Sequence, residues 1–174
     1  MRLESNRLYF RYLTMEDFDN LSKILSDKET MMFYPKPYDE KGVKKWIEWC
    51  IGCYKKRGFG LFAVILKSTG EFIGDAGITL QEINGKEVFE IGYHINKNFW
   101  NNGYATEAAR YFKDYFFNNT NYDEVYSYMN IDNIASRKVA ENNDMNLVDS
   151  YFDKKWNEHL VSYSITRKEW LKNK

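Results

Sequence analysis

The stretch from Phe72 to Phe116 is the part of this sequence with the fewest ways to fold. Phe72 to Glu82 and Val88 to Ile95 both read as strands, and Asn84-Gly85 stands between them. A two-residue type I′ turn needs positive φ at both central positions, which Asn and Gly tolerate best, so this pair predicts a tight antiparallel hairpin. The second strand then passes through a short polar loop into a helix whose Ala105, Ala108, Ala109, Phe112 and Phe116 form one stripe that should pack on the sheet. Such a junction favours an anion. The first turn of a helix carries unpaired N–H groups and the positive end of its dipole, and Gly103 lets the backbone come close to a bound phosphate.

The rest of the chain reads as one continuous α/β unit, expected to be a single domain over residues 1–174, without repeats or low-complexity linkers. Leu8 to Leu13 alternates as a first strand. Thr14, with Asp17 three residues on, resembles a capping box and starts a helix through about Leu25. Pro35 and Pro37 break the chain, and Asp39 caps a second helix that carries Val43, Trp46, Ile47, Cys50 and Tyr54 on one face and ends near Gly58. Leu61 to Leu66 is a strand followed by a turn at Ser68-Thr69-Gly70. Beyond the central helix come a strand at Glu124 to Met129, a short helix at about Ala135 to Asn142, and a hairpin of Leu147 to Phe152 with Leu160 to Thr166.

Composition narrows the function classes. With 174 residues, 44% apolar and 18% aromatic, the chain can bury one substantial core. Lys plus Arg and Asp plus Glu each number 25, so no global field favours nucleic acid or an anionic membrane, and neither is expected as a partner. The opening Met1-Arg-Leu-Glu-Ser-Asn-Arg lacks the apolar run of a signal peptide, and Leu61 to Leu66 is too short to span a bilayer, so a cytoplasmic protein is expected. Cys50 and Cys53 form a Cys-x-x-Cys pair, but they lie inside an amphipathic helix and both prolines are upstream, so structural thiols are expected rather than a redox site. His94 and His159 have no ligand spacing with them, and no metal is expected.

Gly103-Tyr104-Ala105-Thr106-Glu107-Ala108, preceded by Phe99-Trp100, resembles the acetyl-CoA pyrophosphate loop of the GNAT N-acetyltransferases, in the branch that includes the ribosomal-protein enzymes RimJ and RimL. Arg7-Leu8-Tyr9-Phe10-Arg11 with Met15-Glu16-Asp17, Phe72-Ile73-Gly74-Asp75-Ala76-Gly77, Asn133-Ile134-Ala135-Ser136 and Tyr163 to Trp170 are similar to other segments of that branch, in the same order. Two departures stand out. Asn101 and Asn102 occupy positions where a Lys or Arg often sits, and Asn142-Asn143-Asp144-Met145 replaces the usual Lys-x-Gly-Phe.

The resemblance implies a GNAT fold: a mixed, mostly antiparallel sheet of about seven strands, flanked by about four helices. It implies that the strands at Val88 to Ile95 and Glu124 to Met129 run parallel and splay, and that the pantetheine arm of acetyl-CoA pairs with the edge at Tyr93, His94 and Ile95. The amides of Asn102, Gly103, Tyr104, Ala105 and Thr106 would hold the pyrophosphate, beside Trp100 and Asn101. Ser136 would protonate the departing CoA thiolate, or simply cap a helix. Asn133 would orient substrate or cofactor, with capping again the alternative. Lys138 would reach the adenosine phosphates or lie on a solvated face. Glu90 is the candidate base, on the same face as Gly92 and His94 by alternation, unless it forms a cross-strand ion pair and a water chain takes the proton instead; Glu158 is second choice. Met31-Met32-Phe33-Tyr34, in the loop between the first two helices, is the stretch expected near the acceptor, with Phe33 and Tyr34 as the contacts, or else it is a buried anchor for that loop. The implied activity is direct transfer of acetyl from acetyl-CoA to a primary amine, on a protein N-terminus or a small molecule. A non-catalytic acyl-CoA sensor is the other class, and a homodimer is left open.

Overall fold

The computed structural model describes residues 3–154 and 156–173. Eight strands form one sheet in the order β1-β2-β3-β4-β5-β6-β8-β7. They are β1 (Leu3–Glu4), β2 (Leu8–Arg11), β3 (Leu61–Leu66), β4 (Phe72–Ile83), β5 (Lys86–Ile95), β6 (Glu124–Asn130), β7 (Asn146–Asp153) and β8 (Glu158–Thr166). The helices are α1 (Phe18–Leu25), α2 (Glu40–Arg57), α3 (Tyr104–Asn119), α4 (Ile134–Glu141) and α5 (Arg167–Lys172). Every neighbouring pair of strands is antiparallel except β5 and β6.

Local chemistry explains most boundaries. Asn84 and Gly85 both adopt positive φ, 47° and 77°, and close the β4–β5 hairpin as expected. The Asp39 carboxylate accepts the Gly42 N–H at the start of α2, and Gly58, at φ 76°, ends that helix in the left-handed region. The first strand stops at Arg11 rather than Leu13, because Arg11 turns to a two-pronged pairing with buried Asp17 at 2.7 and 2.6 Å. Asp17 also closes the capping box with Thr14, so the chain makes a single 3₁₀ turn before α1.

The sheet has one more strand and one more helix than expected. β1 spans two residues, too short for any alternation to register. α5 opens with a second capping box, in which the Thr166 hydroxyl accepts the Glu169 N–H and the Glu169 carboxylate accepts the Thr166 N–H, converting what resembled a plain tail into a helix.

Each face of the sheet carries its own apolar layer. On one, Leu21, Ile24 and Leu25 of α1 and Val43, Ile47 and Cys50 of α2 pack on Leu61, Ala63 and Ile65. On the other, Ala108, Ala109, Phe112 and Phe116 of α3 pack on Phe62, Val64, Ile78 and Ile91. Phe112 is fully buried and its ring meets Phe10, Phe62 and Tyr111. Truncating such a side chain to Ala costs about 3–5 kcal/mol.

The central feature for function is the join between β5 and β6. Only Glu90 and Tyr126 are in register there, while β5 pairs with β4 along its whole length, out to Ile95 opposite Gly74. Beyond that point β5 and β6 part, and a side chain spans them: the Ser127 hydroxyl donates to the Ile91 carbonyl at 3.1 Å.

Candidate active site

The loop from β5 to α3 is shaped by residues in unusual backbone conformations. Asn101 and Gly103 both have positive φ, 60° and 76°, which turns successive N–H groups toward one side. Among the described residues, no protein acceptor is hydrogen-bonded to the N–H groups of residues 101–106, whereas the Glu107 N–H already closes onto the Gly103 carbonyl. The Trp100 indole folds back to donate to the Ile95 carbonyl at 2.7 Å, and the Asn102 amide donates to the Phe99 and Trp100 carbonyls. The loop therefore holds its shape through its own side chains and leaves its amides free, the combination that suits a pyrophosphate.

A cation that sequence reasoning did not assign stands beside this loop. Arg7, at the entry to β2, donates to the Asn102 carbonyl at 2.9 Å, pairs with Glu107 at 2.6 Å and lies over the Tyr104 ring at 4.5 Å. Its guanidinium stands beside a loop in which Asn101 and Asn102 carry no charge, with Glu107 paired to it. The signal was its place in the opening segment, but only the return of α3 past β2 brings residue 7 to residue 102.

On the α3 side of the splay, Tyr93 and Ser136 meet, with hydroxyl oxygens 2.8 Å apart. Burial pushes the Tyr93 phenol well above its ordinary value, so it stays protonated. The helix cap at α4 is Asn133, whose side-chain oxygen accepts the Ser136 N–H at 3.1 Å; Ser136 itself occupies the first turn with its hydroxyl toward Tyr93. Lys138 is exposed. Asp144, at φ 61°, takes the left-handed position after α4, and Lys113 secures that turn by donating to the Asn143 carbonyl.

The opposite face of β4 and β5 is polar where a buried sheet is usually apolar. Two cross-strand pairs, Asp75 with His94 and Thr79 with Glu90, flank the facing glycines Gly77 and Gly92. The Thr79 hydroxyl donates to Glu90 Oε2 at 2.8 Å. Glu90 is 8% exposed, and its carboxylate folds over Gly92, 3.0 Å from where a Cβ would stand. Burial pushes Glu90 up to about 7, with Asp75 adding to the rise while Thr79 and the His94 charge oppose it. His94 Nδ1 lies 2.7 Å from Asp75 Oδ1, and the Trp46 indole donates to Asp75 Oδ2 at 2.8 Å. Tyr34 descends from the α1–α2 loop to place its hydroxyl 2.8 Å from His94 Nε2. Its ring neighbours Trp156 of the β7–β8 hairpin, which in turn neighbours Tyr128 of β6.

Thus Glu90, His94 and Tyr34 come together, and Phe33 lies half-buried in the same loop. Met31 is a core anchor of that loop rather than a surface for an acceptor. Glu158 sits on β8 accepting from Asn130, outside this cluster. Asp75, Trp46 and Thr79 were not assigned to the site from sequence; an aspartate amid the glycines of an apolar strand was the available hint, since a buried carboxylate needs partners. Cys50 and Cys53 are free and buried, and burial raises both thiols, which suits structural residues. A cleft of about 610 Å³ between Phe59, Phe89, Tyr122 and Tyr126 lies at the other, N-terminal end of β5 and β6. It touches none of these groups.

The acetyltransferase (GNAT) domain profile matches residues 7–146. The chain belongs to the GNAT acetyltransferase family. A Bacillus subtilis relative, the uncharacterized protein YkkB, is 34% identical over 163 residues, spanning 93% of this chain and 94% of its own. The FsC-acetyl coenzyme A-N(2)-transacetylase of Aspergillus fumigatus is 30% identical over 98% of this GNAT chain and 78% of its own. RimL, a ribosomal L7/L12 alpha-N-protein acetyltransferase solved with coenzyme A, superposes with a TM-score of 0.76 at 15% identity, covering 95% of this chain and 98% of that one. At that identity the likeness is one of fold and does not single out the RimJ/RimL branch. GNAT acetyltransferases use acetyl-CoA and an amine acceptor, and the free amides of the β5–α3 loop fit the diphosphate of such a donor.

Proposed function

We propose that this GNAT chain, acting as one domain, transfers the acetyl group of acetyl-CoA directly to a primary amine. The observation that carries the reading is the opening between β5 and β6, with the free amides of residues 101–106 at one end and buried Glu90 on the acceptor face. The pyrophosphate binds the loop from Trp100 to Thr106 with Arg7 beside it. The pantetheine lies along Tyr93, His94 and Ile95, and an N–H of β5 holds the oxyanion as the amine attacks. Glu90 takes a proton from the incoming ammonium. Its position near neutrality suits that task, because it is ionised at the pH where it must accept and protonated at little cost. The carbon–nitrogen bond forms, the carbon–sulfur bond breaks, and Ser136, backed by Tyr93, gives the sulfur its proton.

The amine end of the acceptor enters beside Tyr34 and Phe33, between the α1–α2 loop and the β7–β8 hairpin. The relative named as an N(2)-transacetylase supports transfer to nitrogen, and the RimJ/RimL resemblance supports a protein N-terminus, with a small-molecule amine the other acceptor class. The cytoplasm suits the enzyme, since it supplies acetyl-CoA and keeps Cys50 and Cys53 reduced.

The test is to incubate the protein with acetyl-CoA and a panel of small amines and peptides and follow free thiol release. Amine-dependent release is expected, together with stabilisation by CoA of about 2.7 kcal/mol at a hundredfold excess over its dissociation constant. Stabilisation without turnover across the panel would convert the enzyme into an acyl-CoA sensor. No stabilisation would remove both.

A further inference from the structure

Two protons must leave the acceptor nitrogen in the reaction proposed above, because an ammonium with three N–H bonds becomes an amide with one. A single carboxylate takes only the first. β5 presents a second proton acceptor on the face of Glu90, separated from it by Gly92, over which the Glu90 carboxylate leans. That second group is His94, and its hydrogen bonds run in one direction. Asp75 is 0% exposed and receives the Trp46 indole N–H on one oxygen, so its other oxygen accepts the proton of His94 Nδ1. In the neutral ring, fixing the hydrogen on Nδ1 leaves Nε2 as a bare lone pair, to which the Tyr34 O–H, 2.8 Å away, donates. The Tyr34 oxygen keeps its own lone pairs for a donor on the acceptor side.

We propose that Tyr34, His94 and Asp75 form a proton relay that takes the second proton from the acceptor nitrogen, with Tyr34 touching the acceptor, His94 storing the proton and Asp75 positioning His94. This rests on the acyl-transfer reading. As the nitrogen–hydrogen bond breaks, its electron pair stays on nitrogen and its proton passes to the Tyr34 oxygen while the Tyr34 proton passes to Nε2. Tyr34 is a neutral phenol before and after, and His94 becomes an imidazolium facing the Asp75 carboxylate. Of the two protons taken by Glu90 and His94, one replaces the proton that Ser136 gives to sulfur and the other returns to solvent. Ammonium and thioester thus yield amide, thiol and one proton.

The surroundings agree with storage at His94. The titratable groups around it are Asp75 from β4, Glu90 from β5 and Tyr34 from the α1–α2 loop, with Tyr38 and Tyr128 acting on Tyr34. Burial alone would lower the imidazole, but Asp75 and then Glu90 outweigh it and leave it raised. Burial and Glu90 hold the Tyr34 phenol well above its usual value, so it acts as a conduit and never as a lasting phenolate.

The experiment compares pH profiles of kcat and kcat/KM for the wild-type chain with Tyr34→Phe, His94→Gln, Asp75→Asn and Glu90→Gln. Tyr34→Phe and His94→Gln are expected to lower kcat about a hundredfold or more, with the KM for acetyl-CoA and the CoA-induced thermal shift unchanged. Each removes one of two ionisations on the acid limb, and Glu90→Gln removes the other. A Tyr34→Phe enzyme with wild-type kcat and both ionisations would overturn the relay. The ¹⁵N spectrum of His94, one of two histidines, supplies a readout that needs no acceptor. The Nδ1–H tautomer is expected, with a titration midpoint that falls in Asp75→Asn; an Nε2–H tautomer would overturn the relay in any event. Failure of every amine to release thiol, with CoA still stabilising the fold, would sink acyl transfer instead, and the tautomer would still decide the direction of the hydrogen bonds.

Discussion

Glu90 is the residue whose environment works hardest against its charge. Its carboxyl is raised from 4.5 to about 7 by burial, so the folded chain holds a proton there that the unfolded chain has already lost. Folded stability from this group is complete below about 4.5 and falls away as the pH rises through 7, by up to about 3 kcal/mol at about 1.4 kcal/mol per unit. Glu90→Gln keeps an acceptor for the Thr79 hydroxyl but carries no charge. It is expected to match the wild type in urea unfolding near pH 4.5 and to become the more stable of the two by pH 8, while losing most of its activity. An equal stability difference at the two pH values would mean that the Glu90 charge is solvated. Gly92 belongs to the same argument: a methyl group there would stand about 3.0 Å from the Glu90 carboxylate and push it aside. Gly92→Ala is therefore expected to fold, to lower kcat about tenfold or more, and to leave CoA binding intact, which thiol release and a CoA thermal shift separate.

Among the elements, α3 and α4 show how a cap can carry a site. The N-terminus of α3 is held by Arg7, which ties β2 to the loop through Asn102 and Glu107. Arg7→Met retains apolar bulk but removes both the latch and the cation beside the proposed diphosphate site. CoA binding should weaken about three- to tenfold, as measured by calorimetry, and the loss should shrink at high salt because the pair is half exposed. At α4 the cap is Asn133, and Ser136 reaches Tyr93 only while that first turn is formed. Asn133→Ala should cost about 1 kcal/mol in stability. A larger fall in kcat than Asn133→Ala causes in stability would tie the cap to the position of Ser136.

Across the whole molecule the sheet is two blocks, β1 to β5 and β6 to β7, whose backbones meet at one register pair, with side-chain links from Ser127 to Ile91, from Lys86 to Tyr126 and Glu124, and from Asn84 to Asp149. A donor arm lying in the opening would add the hydrogen bonds that β5 and β6 do not make to each other. CoA is therefore expected to slow amide exchange at the C-terminal ends of both β5 and β6, in addition to the first turn of α3. Protection confined to α3 would place the pantetheine outside the opening.

Much of this architecture follows from short-range chemistry and could be read from the sequence alone. The Asn84-Gly85 turn, the Asp39 cap, the Gly58 stop and the strand-to-helix junction at Gly103 each depend on φ preferences or capping groups within a few residues. Alternation likewise placed Glu90 and His94 on one face of β5. The register of that hairpin then sets Thr79 opposite Glu90 and Asp75 opposite His94, whereas Tyr34 and Trp46 reach His94 and Asp75 across 60 and 29 positions, which no local preference encodes. Only when α2 and the loop before it fold down onto that face of the sheet do Trp46 and Tyr34 converge on Asp75 and His94. A carboxylate that would be an ordinary acid in water then sits near neutrality, because the tertiary structure has taken the water away.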